Sequence, residues 1–162
     1  MTDNPKDLSL ADLRSLRAEL QHSDDVVSYV RRLAQVRLDL VRAERTRRRG
    51  GEVSGDITGD LSSILSSHLV GGTARPPRPA DDFSGHPLAL ELDELCASWG
   101  GTEMGELDDA ELAEYEDRLA AWESQRSAER KALFERIDAL SAELVRRYRD
   151  GEADPAGLLA DD

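Results

Sequence analysis

The sequence predicts an all-α protein built as a long two-helix coiled coil, with a short N-terminal helix and a partly disordered linker. Leu, Ala, Arg, Glu and Asp dominate the composition, as they do in long amphipathic helices rather than in sheets. Aromatic residues make up 4% of a chain that is 39% hydrophobic, which suits a slender core better than a thick globule. Apolar residues recur at spacings of three and four over two long stretches, the period of one helix face.

Residues 1–22 read as a loose terminus followed by a short helix. Ser9 with Asp12 three residues later is a capping-box-like start, and Leu10, Leu13, Leu16 and Leu20 line an apolar face. Ser23 or Asp24 is placed to cap a second helix over residues 23–49, whose buried stripe is Val26, Val30, Leu33 and Leu40 with Val27, Ala34 and Val41. Arg45, Arg47, Arg48 and Arg49 favour the negative end of its dipole, and Gly50-Gly51 stop it. Residues 50–106 break the periodicity with ten glycines and the knot Arg75-Pro76-Pro77-Arg78-Pro79, which cannot continue a helix. This acidic linker carries two apolar islands, Asp60 to Leu69 and Leu88 to Trp99, each long enough for a short helix. Such a helix can dock on the long helices or on a partner, and Phe83 and Trp99 are the aromatic residues of note there.

Residues 107–150 form the last helix, with Leu112, Tyr115, Leu119, Trp122, Leu133, Ile137, Leu140 and Leu144 on one seam. A helix of roughly 65 Å needs a partner helix, and the second helix is the obvious one. The seam lapses from Glu123 to Lys131, where only Ala128 is apolar. Arg146, Arg147 and Arg149 before Gly151 repeat the earlier basic ending, and residues 151–162 are an acidic tail.

The formal net charge of −13 opposes general attraction to DNA, RNA or an anionic membrane and favours a basic protein partner. The acid is uneven, however: residues 24–49 hold eight Arg against four acids, and residues 50–106 hold ten acids against two Arg. The single cysteine, Cys96, excludes an internal disulfide and lies in an apolar stretch that reads as a burial site. There is no run of about 18 apolar residues, so a cytoplasmic location is expected. His22, His68 and His86 are isolated, no metal-ligand spacing is present, and no glycine-rich loop joins a strand to a helix. The expectation is a non-catalytic chain without a metal or cofactor.

The most informative pattern is a polar ladder that occurs twice. Asp24, Ser28, Arg31, Gln35 and Asp39 recur 99 residues later as Glu123, Ser127, Arg130, Phe134 and Asp138. The offsets of 0, 4, 7, 11 and 15 keep each set within roughly 80° of one helix face. Arg37 with Arg136, Leu38 with Ile137, Ala43 with Ala142 and Glu44 with Glu143 extend the repeat. An arginine fork at Arg31 or Arg130 suits guanine O6 and N7 or a phosphate. Carboxylates at Asp39 and Asp138 suit the N1 and N2 donors of guanine, Ser28 and Ser127 permit close approach, and Gln35 can bridge phosphate or ribose. The competing reading is a solvated face of ion pairs, each worth about 0.3–0.5 kcal/mol, on a coiled-coil adaptor that binds its partner without a nucleotide.

The ladders resemble the repeated motif E-x3-S-x2-R-x3-Q-x3-D of the RsiG family. These are actinobacterial anti-sigma factors that hold the sporulation sigma factor WhiG when armed with cyclic di-GMP. Ser28-Tyr29-Val30-Arg31-Arg32-Leu33 and Arg37-Leu38-Asp39, then Ala142-Glu143-Leu144-Val145-Arg146-Arg147-Tyr148-Arg149, are similar to that family as well. The resemblance implies two motifs that jointly cradle a cyclic di-GMP dimer, and a nucleotide that completes the surface gripping a WhiG-type sigma factor. It assigns ligand contacts to Asp24, Ser28, Arg31, Gln35 and Asp39, and to Glu123, Ser127, Arg130, Phe134 and Asp138. Two positions depart from the motif: Asp24 is one methylene shorter than Glu, and Phe134 exchanges the glutamine amide for a ring that can stack on a base.

Overall fold

The computed structural model describes residues 4–50 and 81–151. These form helices α1 (Leu10–Arg48), α2 (Pro87–Ser98) and α3 (Asp109–Arg149), with single 3-10 turns at Pro5–Asp7 and Gly101–Glu103. No strand occurs among the described residues, so the all-α expectation holds. The Asp60 to Leu69 island, the proline knot and the acidic tail lie outside the described residues.

One expected boundary is wrong. α1 runs through Ser23 and Asp24 without a break, so the short N-terminal helix and the first motif helix are a single element. Ser23 does not cap; its Oγ donates to the Glu19 carbonyl at 3.0 Å, a bond made within a helix. The physical reason is a stripe of Leu13, Leu20, Val27, Ala34 and Val41, all buried and seven residues apart. Continuous burial outweighs the modest helix propensities of Ser and Asp, which lie only about 0.5 kcal/mol per residue below Ala. The cap at the true start is real: Ser9 Oγ accepts from Asp12 N at 3.1 Å and donates to Asp12 Oδ2 at 2.6 Å, the side-chain pair standing in for the backbone return bond of a full capping box.

The chain divides into two compact units. Unit 1 combines the described residues up to Asp25 with those from Ala128 onward. Its core is Leu13, Leu20, Ile137, Leu140 and Leu144, edged by Leu8, Leu10, Leu16, Leu133 and Tyr148. The two helical segments run antiparallel: Arg17 Nε donates to Ser141 Oγ at 2.8 Å, and Arg14 donates to the Tyr148 hydroxyl.

Unit 2 spans Val26–Ser127 and adds a third helix. Val30, Ala34, Leu38 and Val41 of α1 meet Leu112, Tyr115, Leu119 and Trp122 of α3, and Ala89, Leu92 and Cys96 of α2 close the cluster. The Leu88 to Trp99 island is therefore the docked helix α2, and Cys96 is buried as expected. His86 starts it as a cap, its Nδ1 accepting from Leu88 N at 3.2 Å, with Pro87 in the first turn where a missing N–H costs nothing. Arg37 anchors α2 by donating to the Leu92 carbonyl at 3.3 Å and Cys96 Sγ at 3.2 Å, and by pairing with Asp93. Phe83 meets Tyr29 edge to face at 5.8 Å, and Trp99 lies 6.3 Å from Tyr115. Gly101 is required where α2 turns toward α3, because a Cβ there falls 2.5 Å from the Tyr115 hydroxyl and 2.8 Å from the Cys96 carbonyl. Asp108 then caps α3, its Oδ1 accepting from Ala110 N and Glu111 N at 2.8 Å while Glu111 Oε2 accepts from Asp108 N at 2.9 Å.

Candidate functional site

Unit 2 contains six of the ladder positions: Ser28, Arg31, Gln35, Asp39, Glu123 and Ser127. Helical spacing puts Arg31 and Gln35 one turn apart on α1, facing the first rung of the second motif on α3. Glu123 Oε1 is the meeting point. It accepts from Ser127 Oγ at 2.9 Å and Gln35 Nε2 at 3.0 Å, and Arg31 Nη1 reaches it at 3.5 Å. Ser28 is buried, and Arg31 Nε is buried with no hydrogen bond. Asp39 lies one turn further along, half-buried, with Arg42 at 3.9 Å.

Unit 1 contains the other four: Asp24, Arg130, Phe134 and Asp138. Here the first rung of the first motif faces the third rung of the second, with Arg130 Nε 3.7 Å from Asp24 Oδ1. The Arg130 guanidinium carbon also lies 4.5 Å from the centre of the Phe134 ring, inside cation–π range. Phe134 and Asp138 are exposed. Each unit thus pairs the acid of one motif with the arginine of the other, which antiparallel helices carrying related motifs permit.

A second duplicated feature lies beyond the ladder. Glu44 accepts from Arg47 and Arg48, each at 2.7 Å, and Glu143 accepts from Arg146 and Arg147, each at 2.8 Å. Hydrogen bonds from Arg47 hold the Glu44 carboxyl down at about 2 against the cost of burial, with Arg48 adding to them. Arg146 and then Arg147 do the same for Glu143, also to about 2. In unit 2, Arg48 reaches past its acid to the carbonyls of Leu107 at 2.7 Å and Met104 at 3.2 Å. In unit 1, Arg147 reaches the carbonyls of Lys6 at 3.0 Å and Pro5 at 3.2 Å. The repeat signal at Glu44 and Glu143 pointed to these clasps, but their carbonyl partners are distant in sequence.

The arginine excess of α1 is locally neutralised. Arg37 pairs with Asp93, Arg42 and Arg45 with Glu116, and Arg47 and Arg48 with Glu44. Burial pulls the Glu116 carboxyl up, and the hydrogen bonds from Arg45 and Arg42 outweigh it, so its pKa is lowered. Burial raises the pKa of the Tyr115 hydroxyl, and its hydrogen bond with Cys96 adds to the effect.

No helix among the described residues is long and apolar enough to cross a membrane. Residues 2–65 match the family model described as RsiG-like. That span takes in all of α1 and the whole first motif, while the second motif lies beyond it. At the level of the family, the match supports an anti-sigma-type regulator with a sigma-factor partner. No curated protein matches the chain.

Proposed function

We propose, from the RsiG-like first motif and the pairing of its rungs with the second, that the chain is a non-catalytic cytoplasmic anti-sigma factor. On this reading it binds cyclic di-GMP through the two motifs and, once loaded, sequesters a WhiG-type sigma factor. The observation that carries the reading is the reciprocal pairing of Arg31 with Glu123 and of Arg130 with Asp24. The pairing brings equivalent rungs of the two motifs together in both units, as a duplicated ligand site requires.

The chemistry starts from Arg31. Arg31 meets its acid at 3.5 Å and keeps a buried Nε without a hydrogen bond, so a guanine edge or a phosphate supplies the second acceptor that the fork needs. Asp39 and Asp138 accept from the N1 and N2 donors of guanine. The acids at Glu123 and Asp24 hold the arginines in place before the ligand arrives, which lowers the ordering cost of binding. Loading then favours the sigma-competent state, and by linkage the sigma factor tightens nucleotide binding by the same factor.

The test is co-elution of the full chain with a purified WhiG-type sigma factor on a sizing column, with and without cyclic di-GMP. A complex that forms only with nucleotide supports the proposal. A complex of equal yield in both runs assigns the chain to nucleotide-independent adaptors instead.

A further inference from the structure

Phe134 stands where the motif has glutamine, and its surroundings in unit 1 indicate what the ring does there. In unit 2 the equivalent Gln35 bonds to the acid that Arg31 also reaches. A ring can make no such bond. Instead the Arg130 guanidinium lies over it at 4.5 Å, with Arg130 Nε 3.7 Å from Asp24 Oδ1. Phe134 follows Arg130 by four residues on α3, the spacing that makes two side chains neighbours on one helix face. The pair is accessible: the Phe134 residue and the Arg130 side chain are each 37% exposed.

We propose that Phe134 is a positioning residue that holds the Arg130 guanidinium flat, so that the motif residues of unit 1 recognise a guanine base by stacking on that plane. This rests on the cyclic di-GMP reading above and adds a difference between the two motifs. A guanidinium fixed against a ring presents a planar cationic surface, on which a purine stacks more favourably than on a mobile arginine. Asp138, one turn further and exposed, supplies the selectivity. Its carboxylate accepts from guanine N1–H and N2–H and repels the lone pair of adenine N1. In unit 2, Gln35 binds Glu123 and no ring lies at the fourth rung, so recognition there is by hydrogen bonds.

The test is isothermal titration of the full chain with cyclic di-GMP and with cyclic di-AMP, for wild type, Phe134→Leu and Phe134→Tyr. Circular dichroism confirms that each exposed-site variant is folded. Phe134→Leu is expected to weaken cyclic di-GMP binding by about two- to fivefold, the fold-change that losing an exposed cation–π contact converts to, and to narrow the preference over cyclic di-AMP. Phe134→Tyr keeps the ring and is expected to restore both. Two results overturn the inference alone: wild-type affinity and selectivity in Phe134→Leu, or equal losses in Leu and Tyr. Absence of cyclic di-GMP binding to wild type, alone and with the sigma factor, overturns the functional reading and this inference with it.

Discussion

The two units solve one problem with different chemistry. Both place a motif acid opposite a motif arginine, but in unit 2 Glu123 is held by Ser127, Gln35 and Arg31. In unit 1, Arg130 meets Asp24 at 3.7 Å and rests on a phenyl ring. Their packing differs in parallel: α2 covers the helices of unit 2, while the unit 1 core comes from α1 and α3 alone. Duplication of a motif therefore preserves which rungs meet without preserving the chemistry by which they meet: a glutamine amide joins the acid in unit 2, and a phenyl ring lies under the arginine in unit 1.

The largest expected effect bears on that packing. Leu92 is fully buried on α2, and Leu92→Ala is expected to cost about 2–5 kcal/mol. Val145→Ala in unit 1, at a side chain 55% exposed, is expected to stay within about 0.5 kcal/mol. Hydrogen exchange after Leu92→Ala should show protection lost first in Val26–Ser127; uniform loss in both units would merge them into a single cooperative body.

Removing the two acids compares the rungs directly. Glu123→Ala strips the acceptor from Ser127, Gln35 and Arg31, at an expected cost of about 1–3 kcal/mol. Asp24→Ala removes the long ion pair to Arg130, and a smaller cost is expected because the Arg130 side chain is 37% exposed and water can take over its solvation. Urea titrations giving equal losses would remove the distinction between the units.

Acid should expose what the units share. The Glu44 and Glu143 carboxyls are depressed in the fold to about 2 from an ordinary 4.5. A depressed acid contributes stability that is present above its unfolded value and lost as pH falls through the folded one. Stability should therefore decline between about pH 4.5 and pH 2, and the double variant Glu44→Gln with Glu143→Gln should show a shallower decline across that window in thermal melts. The smallest effect on the fold is expected for Arg31→Lys, within about 0.5 kcal/mol. That change keeps the charge and removes the fork, so nucleotide-dependent sigma binding should fall while stability does not; unchanged binding would reduce Arg31 to a point charge.

Much of this organisation is legible in the sequence. Leucine and valine spacing gives both long helices, the Leu88 to Trp99 island gives α2, and Gly50 and Gly151, each at positive φ, mark the ends of α1 and α3. The offsets of the ladder give its rungs. The break expected at Ser23 is a misreading, because a serine that can cap a helix can equally bond back within one, and only the buried stripe through Leu20 and Val27 decides between them. Partnership between charges is not legible in this way. Arg42 and Arg45 look like a free positive patch until α3 brings Glu116 against them, and Arg31 finds Glu123 only through the antiparallel register. Spacing along one helix fixes a face, whereas a charge pair across two helices depends on alignment set by packing. The ring at Phe134 is visible in the sequence, but the guanidinium lying over it is a property of the fold.

On the proposed function, the ladder, rather than the basic character of α1, binds the nucleotide. The most direct measurement is isothermal titration of cyclic di-GMP into wild type, Arg31→Ala and Arg49→Ala, each alone and with the sigma factor. Both substitutions remove one positive charge from α1 or its end, but only Arg31 stands on a rung. Wild type is expected to bind, Arg31→Ala to bind at least about tenfold more weakly, as when a charge-assisted forked contact is removed, and Arg49→Ala to bind with an affinity near wild type. Equal losses in the two variants, or no binding by wild type under either condition, would contradict that reading.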